Sequence, residues 1–597
     1  MHVVATAGHV DHGKSTLGRA LTGMEPDRFA EEKRRGMTID LGYAWTALGD
    51  DTLAFVDVPG HERFIANMLA GLGPAPAVMF VVAADEGWRR QSDEHLAAVD
   101  ALGLTHGLLV VTRSDLADPG PALAEARGRI ADSSLGAVPA VPVSGRTGAG
   151  LAELRSALVA LVAGLPPART EGRIRLWLDR SFTIRGAGTV VTGTLGAGTL
   201  AVGDQLQLGD RLVRIRGLQS IGLGRDEVKA VARVAVNLRG VEVDEVGRGD
   251  ALLSPNAWSP RSLLDVRLVP LRTATAEGIA GGLPAELVLH LGTAAVPVRV
   301  RPLASDLARL TLHRPLPVEP GDRLVLREPG RHAVAAGAVV LDADPPSLRR
   351  RGAARVRAAT LQTVAHADED AALAEQVRRR KLVRRTELEA LGVPTGSLGA
   401  VQVVGDWLID PDVWEGDVAA LQEAVDARAA GTPLDPRLTV EAARRLLDLP
   451  DRSLVVALAT AAGLEHRDGR IARPTDPAAD LGAAEVGLSR LEEHLRAHPF
   501  AAPEKPDLDR WGLSVRELAA AERTGRVVRL DAEIVLLPTG PARAMRVLAA
   551  LPQPFTTSEA RQALNTTRRV AVPLLEHLDR RGWTQRLDGG HRRVRAS

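Results

Sequence analysis

The octapeptide GHVDHGKS, residues 8–15, follows the apolar run HVVATA and leads into STLGRALTG, a stretch with helical patterning. Glycines at positions 8 and 13 let successive backbone N–H groups face one point. Lys14 adds positive charge there, and the Ser15 hydroxyl can ligate a divalent cation. A polyphosphate with Mg²⁺ is what such a loop binds. Gly8, His9, Val10, Asp11, His12, Gly13, Lys14 and Ser15, with Thr16 behind them, are therefore candidate nucleotide contacts. Further along, DVPGH at residues 57–61 ends an apolar strand. It offers the Asp57 carboxylate to Mg²⁺ through water and sets Gly60 for a γ-phosphate contact. In RRGMTID, residues 34–40, Thr38 carries a hydroxyl that completes Mg²⁺ coordination only when the γ-phosphate is present. Together these elements describe a switch.

Such residues need a scaffold, and the pattern changes along the chain indicate one. From residue 1 to about 165, HVVATAG, TLAFVDV, AVMFVVAAD, GLLVVTRSD and AVPAVPVS alternate with amphipathic stretches, which is βα repetition with buried parallel strands. After LPPART the chain turns to strands and Gly-rich turns, and the break SPNAWSP, residues 254–260, favours two antiparallel barrels over one. Past DADPPSLRRRG, amphipathic helices each end in a short β-like pair, and the unit of helix, helix and hairpin recurs roughly every 60 residues. The expected fold is multidomain: an α/β P-loop domain at 1–168, β-barrels at 172–257 and 260–346, and tandem winged-helix modules at 352–416, 417–482, 483–540 and 541–597.

Composition sets limits on partners and chemistry. With 45% apolar and 25% charged residues, this is folded globular protein, and the 597 residues exceed what one core can organise. The absence of cysteine excludes disulfides, thiolate metal sites and thiol nucleophiles. Neither a secretion signal nor a long apolar span is visible, so a cytoplasmic monomer without membrane attachment is expected. The net charge of +1 conceals a basic end, since residues 541–597 hold eleven Arg against four carboxylates. Lysine occurs only five times, so arginine supplies nearly all positive charge.

The P-loop, RRGMTID and DVPGH together resemble the translational GTPases. KRRGMTIDLGYAW and DVPGHERFIANMLAG most resemble the bacterial selenocysteine-specific elongation factors. The resemblance implies a GTPase that binds GTP/GDP with Mg²⁺ held at Ser15, Thr38 and Asp57. It also implies that His61 is the catalytic histidine that positions the attacking water on the ribosome. Guanine recognition in this family uses an NKxD motif; here TRSD, residues 112–115, offers Thr112, Arg113 and Asp115. Asp115 keeps the acceptor pair for guanine N1–H and the 2-amino group, while Arg113 replaces the usual lysine and can cover the base with its stem. VSGRTG resembles the loop that contacts guanine O6, through Ser144 and Gly145.

DRSFTIRGAGTVVTGTL, residues 179–195, resembles the start of the second domain in tRNA-carrying factors. From composition alone, Arg180 and Arg233 read as solvated strand positions in an Arg-rich chain. The resemblance instead places Asp179, Arg180 and Arg233 around an aminoacyl pocket, where guanidinium groups favour an ionised selenol over a serine hydroxyl. In the last module a helix is expected near Asn565, projecting Arg568 and Arg569 from its first turns, with Arg561 before it and Arg592 and Arg593 on the wing. The resemblance makes these RNA contacts. The expected partners are selenocysteinyl-tRNA, the ribosome and an mRNA hairpin downstream of UGA. Two other readings are another tRNA-carrying translational GTPase and a nucleotide-switched DNA- or RNA-binding regulator.

Overall fold

The computed structural model describes residues 1–25, 38–49, 51–186, 188–272, 282–331, 333–364, 369–432, 435–474, 482, 484–588 and 590–595. Residues 34–37 of RRGMTID lie outside them. Chain contacts divide the protein into two compact units, Met1–Gly399 and Ala400–Ser597.

The amino-terminal sheet of the first unit has the order Gly42–Leu48, Asp51–Asp57, His2–Ala7, Ala77–Ala83, Gly107–Thr112 and Ala140–Pro142. All neighbours are parallel except the first pair. Val3, Val56, Phe80 and Val111 pack on one face, while Val4, Phe55, Met79 and Val110 pack on the other. Burial on both faces explains why these strands read as unbroken apolar runs. The antiparallel edge strand Gly42–Leu48 adds to the βα pattern expected from sequence. Its burial fades along its length, so it carries no such run.

Two barrels follow. In the first, Gln205–Leu208 pairs with both Arg211–Ser220 and Ala251–Leu253, which closes a ring that also contains Arg175–Ile184, Gly188–Leu195 and Ala232–Arg239. In the second, Arg261–Val269, Leu307–Leu316, Ala294–Pro302, Glu286–Leu291, Arg323–Glu328 and Ala333–Asp342 form a closed barrel. Inward residues such as Val296, Val298 and Val300 alternate with exposed ones along its strands. At the joint, the Trp258 indole donates to the Ile174 carbonyl at 2.8 Å, and the Arg173 guanidinium lies 3.6 Å from the centre of the same ring.

The second barrel is fixed on two sides. The helix Arg90–Leu102 lies against its strands Arg323–Glu328 and Ala333–Asp342. A Cβ on Gly337 would stand 2.6 Å from the Ala101 carbonyl oxygen, so only glycine admits this approach. The Asp100 carboxylate also accepts from the Arg272 N–H at 2.7 Å. On another side, the fully buried Asp265 accepts from Arg309 at 2.7 and 3.0 Å and from Arg357 at 2.7 Å. Arg357 and Arg379, on the helices Ala353–Val364 and Glu369–Arg380, both pair with Asp342. Buried charges are tolerated here because each finds an opposite partner with hydrogen bonds.

In the second unit the hairpin Gln402–Val404 and Trp407–Ile409 is followed by three repeats. The helices Pro411–Gly431, Val440–Leu446 and Arg452–Ala461 precede the pair Glu465–Arg467 and Arg470–Ala472. Ala484–Ala497, Lys505–Arg510 and Val515–Arg523 precede Val528–Asp531 and Ile534–Leu536. Gly540–Ala549, Thr557–Ala563 and Arg568–Arg580 precede Thr584–Asp588 and His591–Val594. Each repeat therefore has three helices where the sequence pattern suggested two; the short middle helices span too few turns to show periodicity. The last helix begins at Arg568 behind Thr567, not near Asn565, because Asn565 is in left-handed backbone (φ +44°) just past the preceding helix. Leu488, Leu518, Leu536, Phe555 and Leu574 belong to one core that runs through the last two repeats.

Candidate functional site

A cavity of about 460 Å³ opens where the strands His2–Ala7 and Gly107–Thr112 end, and Lys14, Ser15, Thr38, Gly60, Arg113 and Asp115 help to line it. The loop of residues 8–13 borders it, with Val10, Asp11 and Gly13 on the lining. Gly8 has φ +129°, and a Cβ there would meet the Val81 carbonyl oxygen at 2.1 Å. Gly13 caps the helix Lys14–Thr22 in left-handed backbone (φ +81°). The buried Lys14 ammonium donates to the carbonyls of Gly8 at 3.0 Å and His9 at 2.7 Å, which holds it inside the loop. Val10, Asp11, Gly13 and Thr16 complete this wall.

Hydroxyl and carboxylate oxygens meet at one edge of the cavity. Ser15 Oγ donates to Asp57 Oδ2 at 2.8 Å and lies 3.1 Å from Thr38 Oγ1. The other oxygen of Asp57 accepts from Thr6 at 2.7 Å, which fixes the carboxylate. Gly60 closes the neighbouring edge: a Cβ there would stand 2.5 Å from Val10 N and 2.6 Å from Lys14 Nζ. His61 is next in the chain, half-buried, and its Nδ1 accepts from the Arg63 N–H at 3.2 Å. In the neutral ring this leaves the proton on Nε2.

At the far end, Thr112 Oγ1 donates to the His12 carbonyl at 2.7 Å and ties the end of the strand Gly107–Thr112 to the loop of residues 8–13. Arg113 donates to Glu86 at 2.7 Å, to Asp85 at 3.0 Å and to the Asp11 carbonyl, so its guanidinium staples loops together while its stem lines the cavity. A hydrogen bond from Ser144 holds the Asp115 carboxyl below its usual range. Gly145 packs against Thr16, and a Cβ there would be 3.4 Å from the Thr16 methyl.

On the first barrel, Arg233 pairs through both terminal nitrogens with Asp179 and lies 3.8 Å from the centre of the Tyr43 ring. Arg180 donates to Asp40 at 3.1 Å and to the Leu41 carbonyl at 2.9 Å. Both line a cavity of about 170 Å³ with Tyr43, Trp45 and Phe182. Asp179, Arg180 and Arg233 are thus brought together, and Asp40 joins them, two residues beyond Thr38. Arg248 reaches both Asp40 and Asn67, and Asn67 in turn donates to the Ile39 carbonyl at 2.9 Å.

Comparison with known proteins decides the family. The model of the elongation factor Tu GTP-binding domain matches residues 1–164, the beta-barrel domain of the selenocysteine-specific elongation factor matches 284–347, and the winged helix of elongation factor SelB matches 546–593. The chain belongs to the selenocysteine-specific elongation factors. The relative from Desulfomicrobium baculatum is 29% identical over 99% of each chain. That from Escherichia coli is 38% identical, and the match covers 59% of this chain and 56% of the relative. Elongation factor Tu 2 of Streptomyces avermitilis is 31% identical over 56% of this chain and 95% of its own. A crystal structure of a bacterial selenocysteine-specific elongation factor, EF-Sec, shares the fold with a TM-score of 0.77 at 24% identity, covering 100% of both chains.

As a member of this family the protein is a GTP-binding GTPase. Among the described residues no helix is long and apolar enough to cross a membrane. In the last winged helix, Arg568 is exposed in the first turn of its helix, Arg593 is exposed on the wing beside Gln585, and Arg561 is half-buried. Arg569 donates to the carbonyls of Ala502 and Pro503, which straps two repeats together. Arg592 corrects the sequence expectation: it is buried, bonded to Asp579 at 2.9 Å and Thr557 at 3.1 Å, so it supports the wing from within and offers no free surface.

Two site residues escaped the sequence reading. Gln91 Oε1 accepts from the Val10 N–H at 3.1 Å, and His95 Nδ1 accepts from the Gly8 N–H at 3.1 Å. Both project from the helix Arg90–Leu102 at i and i+4 spacing. QSDEH resembles any amphipathic helix start, and only the tertiary fold brings it beneath the phosphate-binding loop.

Proposed function

We propose that the protein carries selenocysteinyl-tRNA in its GTP state to the ribosome at UGA codons, held near the site by a winged-helix tail bound to an mRNA hairpin. The observation that carries the switch is the meeting of Ser15, Thr38 and Asp57 oxygens beside Gly60. A set of hard oxygen donors at this spacing fits Mg²⁺, which would neutralise charge on the β- and γ-phosphates. Lys14 and the loop N–H groups other than those of Gly8 and Val10 hold the phosphates, and Asp115 with Ser144 reads the guanine edge. His61, with Nδ1 engaged by Arg63, presents Nε2–H to an oxygen at the γ-phosphate and so orients the attacking water. In the second domain Arg180 and Arg233 favour an anionic cargo, since a selenol is largely ionised at neutral pH whereas a serine hydroxyl is not. In the tail, Arg568, Arg593 and Arg561 supply phosphate contacts, aided by helix N–H groups that the Thr567 side chain leaves uncapped.

The test is protection of aminoacyl-tRNA from deacylation by the full-length protein. With GTP, selenocysteinyl-tRNA is protected and the seryl form of the same tRNA is not; with GDP, neither is. Equal protection of both forms would remove the arginines from cargo selection. In parallel, His61→Ala keeps nucleotide binding while ribosome-stimulated hydrolysis falls by orders of magnitude, and unchanged stimulation would remove His61 from its role.

A further inference from the structure

The loop of residues 8–13 has a second face. Val10, Asp11 and Gly13 line the cavity, whereas His9 and His12 stand outside that lining. Their rings meet edge to face, with centroids 4.9 Å apart. The His12 ring is fully buried, and its Nδ1 lies 3.4 Å from the Val81 carbonyl oxygen. A carbonyl only accepts, so Nδ1 carries the proton and Nε2 keeps its lone pair. That lone pair has no hydrogen-bond partner, and neither does the buried Nδ1 of His9. Glu86 faces them from the turn after the strand Ala77–Ala83, which the Gly87 N–H closes onto the Ala83 carbonyl at 2.9 Å. Arg113 holds one Glu86 oxygen at 2.7 Å, and the other lies 3.9 Å from His12 Nε2. One ligand atom from each of the three residues falls within 4.8 Å of the other two. Enclosed imidazole nitrogens cost desolvation until something pairs with them.

We propose that His9, His12 and Glu86 form a site for a transition-metal dication such as Zn²⁺, separate from the oxygen set of Ser15, Thr38 and Asp57. Imidazole nitrogen selects Zn²⁺ or Co²⁺ over Mg²⁺, and two imidazoles with one carboxylate leave a fourth tetrahedral position for water. Ligands about 2.1 Å from such an ion stand roughly 3.4 Å apart, so the set must close by about 1 Å. Burial fixes His12, while the half-buried His9 and Glu86, its side chain 28% exposed, have room for that movement. The Val81 carbonyl behind His12 is the outer partner that orients a metal-binding imidazole. Arg113 and Arg89 flank Glu86, so the site is weaker than a structural zinc centre. An ion there cross-links the back of the loop to the turn at 84–87 and makes the loop harder to open. The consequence for bound nucleotide rests on the cavity being the nucleotide site; the metal site itself does not.

The experiment titrates the full-length protein with Co²⁺ and Zn²⁺ in excess Mg²⁺ and GDP, following the visible absorption of tetrahedral Co²⁺ and its displacement by Zn²⁺. The chain has no cysteine, so no thiolate competes for either ion. One equivalent should bind. His9→Ala and Glu86→Gln should each weaken it by at least about tenfold, with circular dichroism confirming that the variants fold. Glu86→Gln keeps an oxygen for Arg113, so it separates loss of a ligand from loss of that bond. Should His9→Ala fail to fold, Glu86→Gln decides alone. His494 and His498, with rings 5.5 Å apart in the second unit, are the alternative surface pair, and His494→Ala should leave binding unchanged. No binding by the unaltered protein, undiminished affinity in the His9 and Glu86 variants, or loss in His494→Ala would overturn the proposal. Bound Zn²⁺ should also slow GDP release several-fold in the unaltered protein and not in Glu86→Gln; an unchanged rate with the site filled would overturn the cross-link. Failure to bind GDP at all would refute the nucleotide reading and leave the metal titration standing.

Discussion

Arg233→Met keeps most of a long side chain but strips the charge from a pair that the first barrel has enclosed. Arg233 is 13% exposed and Asp179 5%, so solvent screening removes little of their interaction. Truncating one partner of a buried pair costs about 3–5 kcal/mol, most of it from the carboxylate left behind. Thr192 still donates to Asp179 at 2.8 Å, which argues for the lower end of that range. Unfolding of a chain with several domains is not two-state, so the effect belongs in a local measurement. The strand Gly188–Leu195 pairs with the strands that carry both residues, and its amides report opening of this sheet. A loss of about 3 kcal/mol raises their exchange rate by roughly a hundredfold. Adding Asp179→Ala to the Arg233→Met background removes the orphaned carboxylate and should return exchange most of the way toward that of the unaltered protein. Acceleration of less than about fivefold would mean that the pair is solvated in solution and that the reasoning from its burial is wrong.

Other perturbations test other joints. Gly60→Ala drives a methyl into Val10 N and the Lys14 ammonium, so titration calorimetry should show affinity for a GTP analogue reduced by at least about tenfold. Asp265→Ala leaves Arg309 and Arg357 facing each other across a buried gap and should cost about 3–5 kcal/mol, seen as faster proteolysis between the second barrel and the helix Ala353–Val364. His12 and His95 are both held at a pKa of about 3, chiefly by burial, against 6.5 for an ordinary histidine. The unfolded chain therefore takes up protons that the folded domain refuses, and the stability these groups contribute is complete above 6.5 and lost as pH falls from there toward 3. Denaturant midpoints of the nucleotide-binding domain should fall over that window, and His95→Gln should make the decline shallower.

The residues that line the cavity beside Lys14 were legible because each group of them is local in sequence. Residues 8–15, 57–61 and 112–115 each sit in a single loop after an apolar strand, and the fold only has to gather three loops at one sheet edge. Both barrels were legible from turn spacing and from the break at 254–260. What escaped depends on contacts between distant residues. Nothing in QSDEH distinguishes His95 from a surface histidine until the helix is laid under Gly8, 87 positions earlier. Arg592 looked like its neighbour Arg593, yet strand alternation turns one inward onto Asp579 and the other outward. Arg180 and Arg233 were expected to line a pocket; their engagement by Asp40 and Asp179 follows only from the apposition of the sheet and the first barrel.

The scarcity of lysine gives the enclosed Lys14 a practical meaning. A chain with five primary-amine side chains, of which Lys229, Lys381 and Lys505 are exposed, has few handles for an acylating reagent. Lys14 is set apart from them, held by two carbonyls inside the loop that borders the cavity. Mass spectrometry of reagent uptake at that single side chain, normalised to the exposed three, becomes a covalent-labelling gauge of how far the loop has opened. An arginine-rich surface thereby leaves the working lysine chemically addressable.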